Sequence, residues 1–343
     1  MLARLILKDG STFKGNSFGF EDSRAGELVF STGMAGYPES LTDPSYEGQI
    51  LVATYPIFGS YGVPDRKFWE SSRIHISGLI VSQYIDTPSH FESKMTLSQW
   101  LKKERIPALE IDDTRLLTQL LRDKGAQVAK IVIDREIDFY DPNKENLLNN
   151  VSVKKIIIDG KGSKTVALID CGVKENIRRN LLKRGVRLIT VPWDCDIFVL
   201  KEKIDGVIIS NGPGDPKMAD LTIKTAKVIM AKKIPLLGIC LGNQILALAA
   251  GGDTYKMKFG HRGQNQPCID QDSKRCYITT QNHGFAIGKI PSGFRPWFVN
   301  ANDQTNEGII HKNLPFMSVQ FHPEATPGPV DTEWIFDKFL KCL

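Results

Sequence analysis

The sequence predicts an α/β protein in two domains: a mixed α/β domain over residues 1–150, then a domain with a mainly parallel central sheet over residues 151–343. Three observations carry that expectation. The chain has 343 residues, more than one ordinary domain needs and comfortable for two. A polar, asparagine-rich stretch broken by Pro142 runs over residues 140–155 and separates two different rhythms. Beyond it, short apolar runs alternate with helical patterns, as in a parallel sheet covered on both faces.

In the first half, residues 3–7 read as a strand before the turn Lys8-Asp9-Gly10, and residues 28–31 as another before Gly33. An apolar stretch follows over 76–84, then helix-like segments over 96–105 and 113–124 and an apolar run over 128–133. In the second half, strands are expected at 165–170, 186–191, 206–210 and 235–239, with helices at 174–184, 218–232 and 245–250. Residues 254–319 offer shorter strands and many turns, and 331–341 reads as a closing helix. There is no internal repeat and no low-complexity tract.

Composition excludes several classes. Hydrophobic residues make up 41% and charged residues 24%, the balance of an ordinary globular protein. The net charge of +5, from 44 basic and 39 acidic residues scattered along the chain, argues against nucleic acid. No apolar run is long enough for a membrane span, and Met1-Leu2-Ala3-Arg4-Leu5 reads into a strand rather than a signal peptide. The six cysteines lack CxxC spacing and read as reduced thiols, which with the missing signal predicts a cytoplasmic chain and no metal site.

One cysteine stands apart. Gly238-Ile239-Cys240-Leu241-Gly242 follows an apolar strand and precedes a helix-like segment, and small residues two before and two after Cys240 permit the sharp turn of a nucleophile elbow. A buried cysteine is more often a small hydrophobe. Here the flanking glycines and the strand–turn–helix context favour a nucleophile, with the helix N-terminus favouring thiolate and the Leu241 N–H placed for an oxyanion.

A thiolate attack on an amide needs an imidazole to move a proton and a carboxylate to orient that imidazole. Residues 316–321 read as a strand that delivers His322-Pro323-Glu324, and Pro323 keeps His322 extended so that both side chains point one way. Alone, such a histidine is usually structural; its weight comes from the elbow. The loop Asn211-Gly212-Pro213-Gly214-Asp215-Pro216 follows a strand and can bring backbone N–H groups close to a ligand, with Gly214 as a second oxyanion donor. On its own the stretch fits a plain turn equally well. It is no phosphate loop, since neither G-x-x-x-x-G-K-[ST] nor a helix-opening G-x-G-x-x-G occurs.

Taken together and in this order, the 211–216 loop, the elbow through Asn243-Gln244 and Phe321-His322-Pro323-Glu324 resemble the class I, triad-type glutamine amidotransferases. The remainder of the chain resembles the small subunit of glutamine-dependent carbamoyl phosphate synthetase: residues 33–46, Thr54-Tyr55-Pro56, Gly59-Ser60-Tyr61-Gly62, Ile111-Asp112-Asp113-Thr114-Arg115, residues 260–267 and Gln281-Asn282-His283-Gly284-Phe285. Residues 264–267 and 280–285 are most similar to the eukaryotic pyrimidine-pathway forms, in which this region is fused to the synthetase.

The resemblance implies a small-subunit domain that contacts the synthetase, then an amidotransferase domain with the triad Cys240, His322 and Glu324. It implies that L-glutamine is held by Ser45, Gly212, Gly214, Leu241, Gln244, Asn282, Gly284 and Phe285. It also implies a synthetase partner, as a large subunit or fused domain, that uses ATP and Mg while this chain carries no cofactor. Asn243 stands where the family more often has histidine. Ammonia-using relatives have lost the cysteine, so Cys240 argues for glutamine. Two rival readings remain: an amidotransferase serving another acceptor, and a catalytically silent glutamine-binding subunit.

Overall fold

The computed structural model describes residues 1–343 and divides them into two compact units: Met1–Glu145 with Lys258–Arg262, and Asn146–Met257 with Gly263–Leu343. The chain therefore leaves the first unit after Glu145 and returns to it for five residues. No sequence pattern announces that return.

The first unit is built on a closed barrel. Its strands are β1 (Leu2–Leu7), β2 (Thr12–Ser17), β3 (Arg24–Ser31), β4 (Gln49–Ala53), β5 (Ile57–Phe58), β6 (Gly78–Val81), β7 (Gln83–Tyr84), β8 (Ala108–Glu110) and β9 (Gln127–Val132). Seven close in the order β1-β2-β8-β6-β4-β3-β9, while β5 and β7 pair separately. Three helices, α1 (Tyr37–Leu41), α2 (Leu97–Lys103) and α3 (Thr114–Lys124), complete it. Helix α2 starts on a capping box, with Thr96 and Gln99 satisfying each other's backbone N–H, and Asp113 accepts from Leu116 N–H to start α3. Alternation along β3 sends Leu28 and Phe30 to one apolar cluster with Leu117 and Leu121 of α3, and Val29 to the other with Trp100 of α2.

The second unit opens with α4 (Leu148–Val151), which lies in the stretch read as a connector. It is held in place by packing: Leu148 joins the core and Trp193 Nε1 donates to Asn149 Oδ1 at 3.1 Å. The sheet comprises β10 (Ile157–Asp159), β11 (Thr165–Asp170), β12 (Arg187–Pro192), β13 (Gly206–Ile209), β14 (Leu236–Ile239), β15 (Asp253–Asp270), β16 (Cys276–Lys289), β17 (Phe294–Asn300), β18 (Asn306–His311) and β19 (Phe316–Val319). Its ten strands run β10-β12-β11-β13-β14-β19-β18-β17-β15-β16. Strands β12, β11, β13, β14 and β19 are parallel, as the alternating pattern predicts, and an antiparallel extension continues from β18. Helices α5 (Glu175–Lys183), α6 (Asp220–Ala231), α7 (Leu241–Ala249) and α8 (Trp334–Leu340) complete the unit. Along β11, Ala167 and Ile169 join one core cluster and Val166 and Leu168 the other, so both faces are buried.

Candidate active site

Three neighbouring parallel strands, β13, β14 and β19, carry at their carboxyl ends the triad and the glycine loop singled out by sequence, the position where ligands bind in such sheets. The register aligns those ends, with Ile209 opposite Gly238 and Ile239 opposite Val319. Cys240 follows β14, Gly212 follows β13, and His322 and Glu324 follow β19.

Cys240 sits at φ 54° and ψ −103°, a region that residues other than glycine rarely adopt, and α7 begins at the next residue. Sequence pattern placed that helix four residues later, because the glycines of the turn hide its start. Both flanking glycines are needed for close approach. A Cβ on Gly238 would overlap Gly242 O, and one on Gly242 would overlap Ile209 O. The strained turn is clamped by Cys240 N–H donating to Val319 O at 2.8 Å and Gly242 N–H to Ser210 O at 3.1 Å. The thiol is buried and lies 3.6 Å from Asn282 O.

His322 Nδ1 lies 2.6 Å from Glu324 Oε1, with both side chains essentially buried. Its backbone N–H donates to Thr280 O at 2.9 Å, which fixes the segment after β19. Burial disfavours the charged imidazole, but Glu324 and Cys240 outweigh it and raise the His322 pKa. Burial likewise works against the Glu324 carboxylate. The Lys174 ammonium, followed by His322, outweighs it and pulls the carboxyl pKa down. His322 Nε2 makes no hydrogen bond within the protein, so that nitrogen is available to move a proton.

Sequence reasoning missed Lys174. Its Nζ lies 3.1 Å from Glu324 Oε1 and donates to Ala325 O at 2.7 Å, and its backbone N–H donates to Asn211 Oδ1 at 3.0 Å. The turn that aims it is held by Asp170, whose carboxylate accepts from Gly172 and Val173 N–H at 2.8 and 2.7 Å. Asn176 was missed too; its amide donates to Glu324 O and to Thr326 Oγ1. A lysine and an asparagine near a helix start carry no pattern of their own, so neither could be read from one sequence.

The proposed glutamine contacts are placed as follows. Leu241 heads α7, where the first amides lack intrahelical partners. Gly212 packs so closely on Cys171 O and the Leu241 side chain that a Cβ would collide with both, and Gly214 takes φ +84°. Gln244 donates to Phe285 O at 2.8 Å, which ties α7 to the 281–285 stretch of β16 carrying Asn282 and Gly284. Ser45 belongs to the first unit, buried in a short turn where Asp43 accepts from its N–H at 2.9 Å.

The family model of class-I glutamine amidotransferases matches residues 167–342. The chain belongs to that family. Residues 5–131 match the CPSase domain of the carbamoyl-phosphate synthase small chain. Among curated proteins it is 49% identical over 390 residues to multifunctional protein URA2 of Saccharomyces cerevisiae, covering 100% of this chain and 18% of that one. It is 47% identical to human mitochondrial carbamoyl-phosphate synthase [ammonia], with 99% and 24% covered. It is 48% identical to multifunctional protein CAD of Squalus acanthias, with 99% and 16% covered. The chain thus spans less than a quarter of the length of each of these relatives. None of its helices is long and apolar enough to cross a membrane.

Proposed function

We propose that this amidotransferase hydrolyses L-glutamine to glutamate and ammonia and passes the ammonia to a carbamoyl phosphate synthetase partner, a large subunit or a fused domain. The observation that carries the reading is the strained Cys240 at the head of α7, together with the buried His322–Glu324 pair at 2.6 Å on the adjacent strand end. In the proposed mechanism the Cys240 thiolate adds to the side-chain carboxamide carbon, and the Leu241 and Gly214 N–H groups hold the oxyanion. His322, oriented through Nδ1 by Glu324, gives its proton to the departing ammonia and leaves a glutamyl thioester. It then takes a proton from the water that attacks the thioester. Glutamate leaves and the thiolate is restored.

Glutamine would be selected by Ser45, Gly212, Gly214, Leu241, Gln244, Asn282, Gly284 and Phe285, because a polar amide is told from near-isosteres only by fixed donors and acceptors. The match of residues 5–131 favours carbamoyl phosphate as the destination of the nitrogen over another acceptor. ATP, Mg and bicarbonate belong to the partner in this reading. The pathway served is pyrimidine synthesis, arginine synthesis or both, in the cytoplasm.

One matched relative is named for ammonia, and a chain that only binds glutamine is the competing reading. Replacement Cys240→Ala separates them. Glutamine-dependent carbamoyl phosphate synthesis by the chain with its synthetase should vanish while ammonia-dependent synthesis survives. Persistent glutamine use would sink the nucleophile assignment. Absence of glutamate release and of Cys240 labelling by an electrophilic glutamine analogue in the unmodified chain would establish the silent reading.

A further inference from the structure

The polar side chains behind the elbow form a chain whose orientation starts from a group with no choice. Phe285 O can only accept, and Gln244 Nε2 donates to it at 2.8 Å. The other hydrogen of that amide goes to Gln320 Oε1 at 3.1 Å. Gln320 Oε1 also accepts from Asn243 Nδ2 at 3.0 Å, and Asn243 Oδ1 accepts from Ser318 Oγ at 2.7 Å. Turning the Gln320 amide over would set its NH₂ group against two donors, so the arrangement holds at every link. Gln320 Nε2 is left buried without a partner, a cost accepted to keep the oxygen where it is. All four side chains are buried.

Gln244 is consequently left with one kind of valence. Both hydrogens of its amide are engaged within the protein, so the group it can offer a ligand is Oε1, an acceptor. It stands one turn along α7 from the nucleophile, its backbone N–H reaching Cys240 O at 3.4 Å. We propose that Gln320 is a positioning residue: together with Phe285 O it takes both hydrogens of the Gln244 amide and holds the side chain so that its oxygen is presented to the substrate, selecting a ligand that brings an N–H donor, such as an α-ammonium, to that point. This rests on the glutaminase reading above. Asn243 and Ser318 act through Gln320 by holding its oxygen inward. Asn243 thus becomes part of the specificity apparatus.

The test uses the full chain and four measurements of glutamate release, on wild type, Gln320→Met, Gln244→Ala and the double variant. Gln320→Met should raise KM for glutamine by about tenfold, the size of one lost hydrogen bond to a charged group, with kcat kept within about threefold. A residue acting through Gln244 has nothing to add once Gln244 is truncated, so the double variant should match Gln244→Ala. Alkylation of Cys240 by iodoacetamide should proceed at the wild-type rate in Gln320→Met. An unchanged KM in Gln320→Met, additive effects in the double variant, or parallel loss of kcat and alkylation would each overturn the assignment. Should Gln320→Met fail to fold, Gln320→Leu decides. It is uncharged and likewise removes the accepting oxygen, so KM should rise by about tenfold, and an unchanged KM overturns the assignment. If the wild-type chain releases no glutamate, the glutaminase reading fails and this one with it. If wild type turns over and KM in the variant stays put, Gln320 alone was misassigned.

Discussion

Lys174 and Glu324 meet at 3.1 Å with neither side chain more than 2% exposed, so each charge depends on the other. Truncating one partner of such a pair leaves a buried charge uncompensated, which costs about 3–5 kcal/mol. Lys174→Gln is therefore expected to lower the unfolding free energy by that order and to slow glutamate release, because a carboxyl that takes up a proton no longer orients His322. Unfolding curves and steady-state kinetics on the same preparation check both. The pH dependence has two limbs. The folded pKa of Glu324 is depressed, so its stabilisation is present above the ordinary carboxyl value of 4.5 and is lost as pH falls below it toward the folded value. The folded pKa of His322 is raised, so its share is complete below the ordinary 6.5 and is lost as pH rises from there through the folded value. Unfolding free energy measured against pH should show a plateau between those two values, and His322→Gln should remove the alkaline decline. A decline unchanged in the variant would assign it to other groups.

At the scale of elements, the loops of the second unit depend on close backbone approach at the elbow. A methyl group on Gly242 would overlap Ile209 O, so Gly242→Ala must push α7 away from β13. Such overpacking costs about 1–3 kcal/mol. The expected result is lower stability together with reduced Cys240 alkylation; unchanged stability would mean that the helix tolerates the shift. These elements were also the readable ones. Strands buried on both faces produce short apolar runs, and the glycines around Cys240 mark a turn that no bulkier residue fits. The barrel was not readable, because β2 pairs with β8 and β3 with β4 through partners distant in sequence or parallel, and nothing local specifies closure. Lys174, Asn176 and Gln320 escaped for a related reason. Their roles come from what lies beside them in space, whereas Cys240, His322 and Glu324 were set apart by residues beside them in the chain.

For the whole molecule, the five returning residues Lys258–Arg262 supply backbone partners to the first unit: Ala126 N–H donates to Lys258 O at 2.8 Å and Thr32 N–H to Arg262 O at 3.1 Å. A fragment of residues 1–145 lacks both acceptors. It is expected to be less stable than the same unit in the intact chain, by about 1–3 kcal/mol for the two backbone hydrogen bonds lost. Site-resolved hydrogen exchange at Thr32 and Ala126 in fragment and full chain measures the difference, and equal protection would rule it out. The brief return has a consequence for inheritance as well. A single genetic crossover near residue 145 would hand the first unit a foreign 258–262 stretch, so an exchange of that unit between relatives must move two separate segments together. Sequences descended through one-breakpoint shuffling would carry mismatched halves, and chimeras designed for this chain need three junctions rather than one.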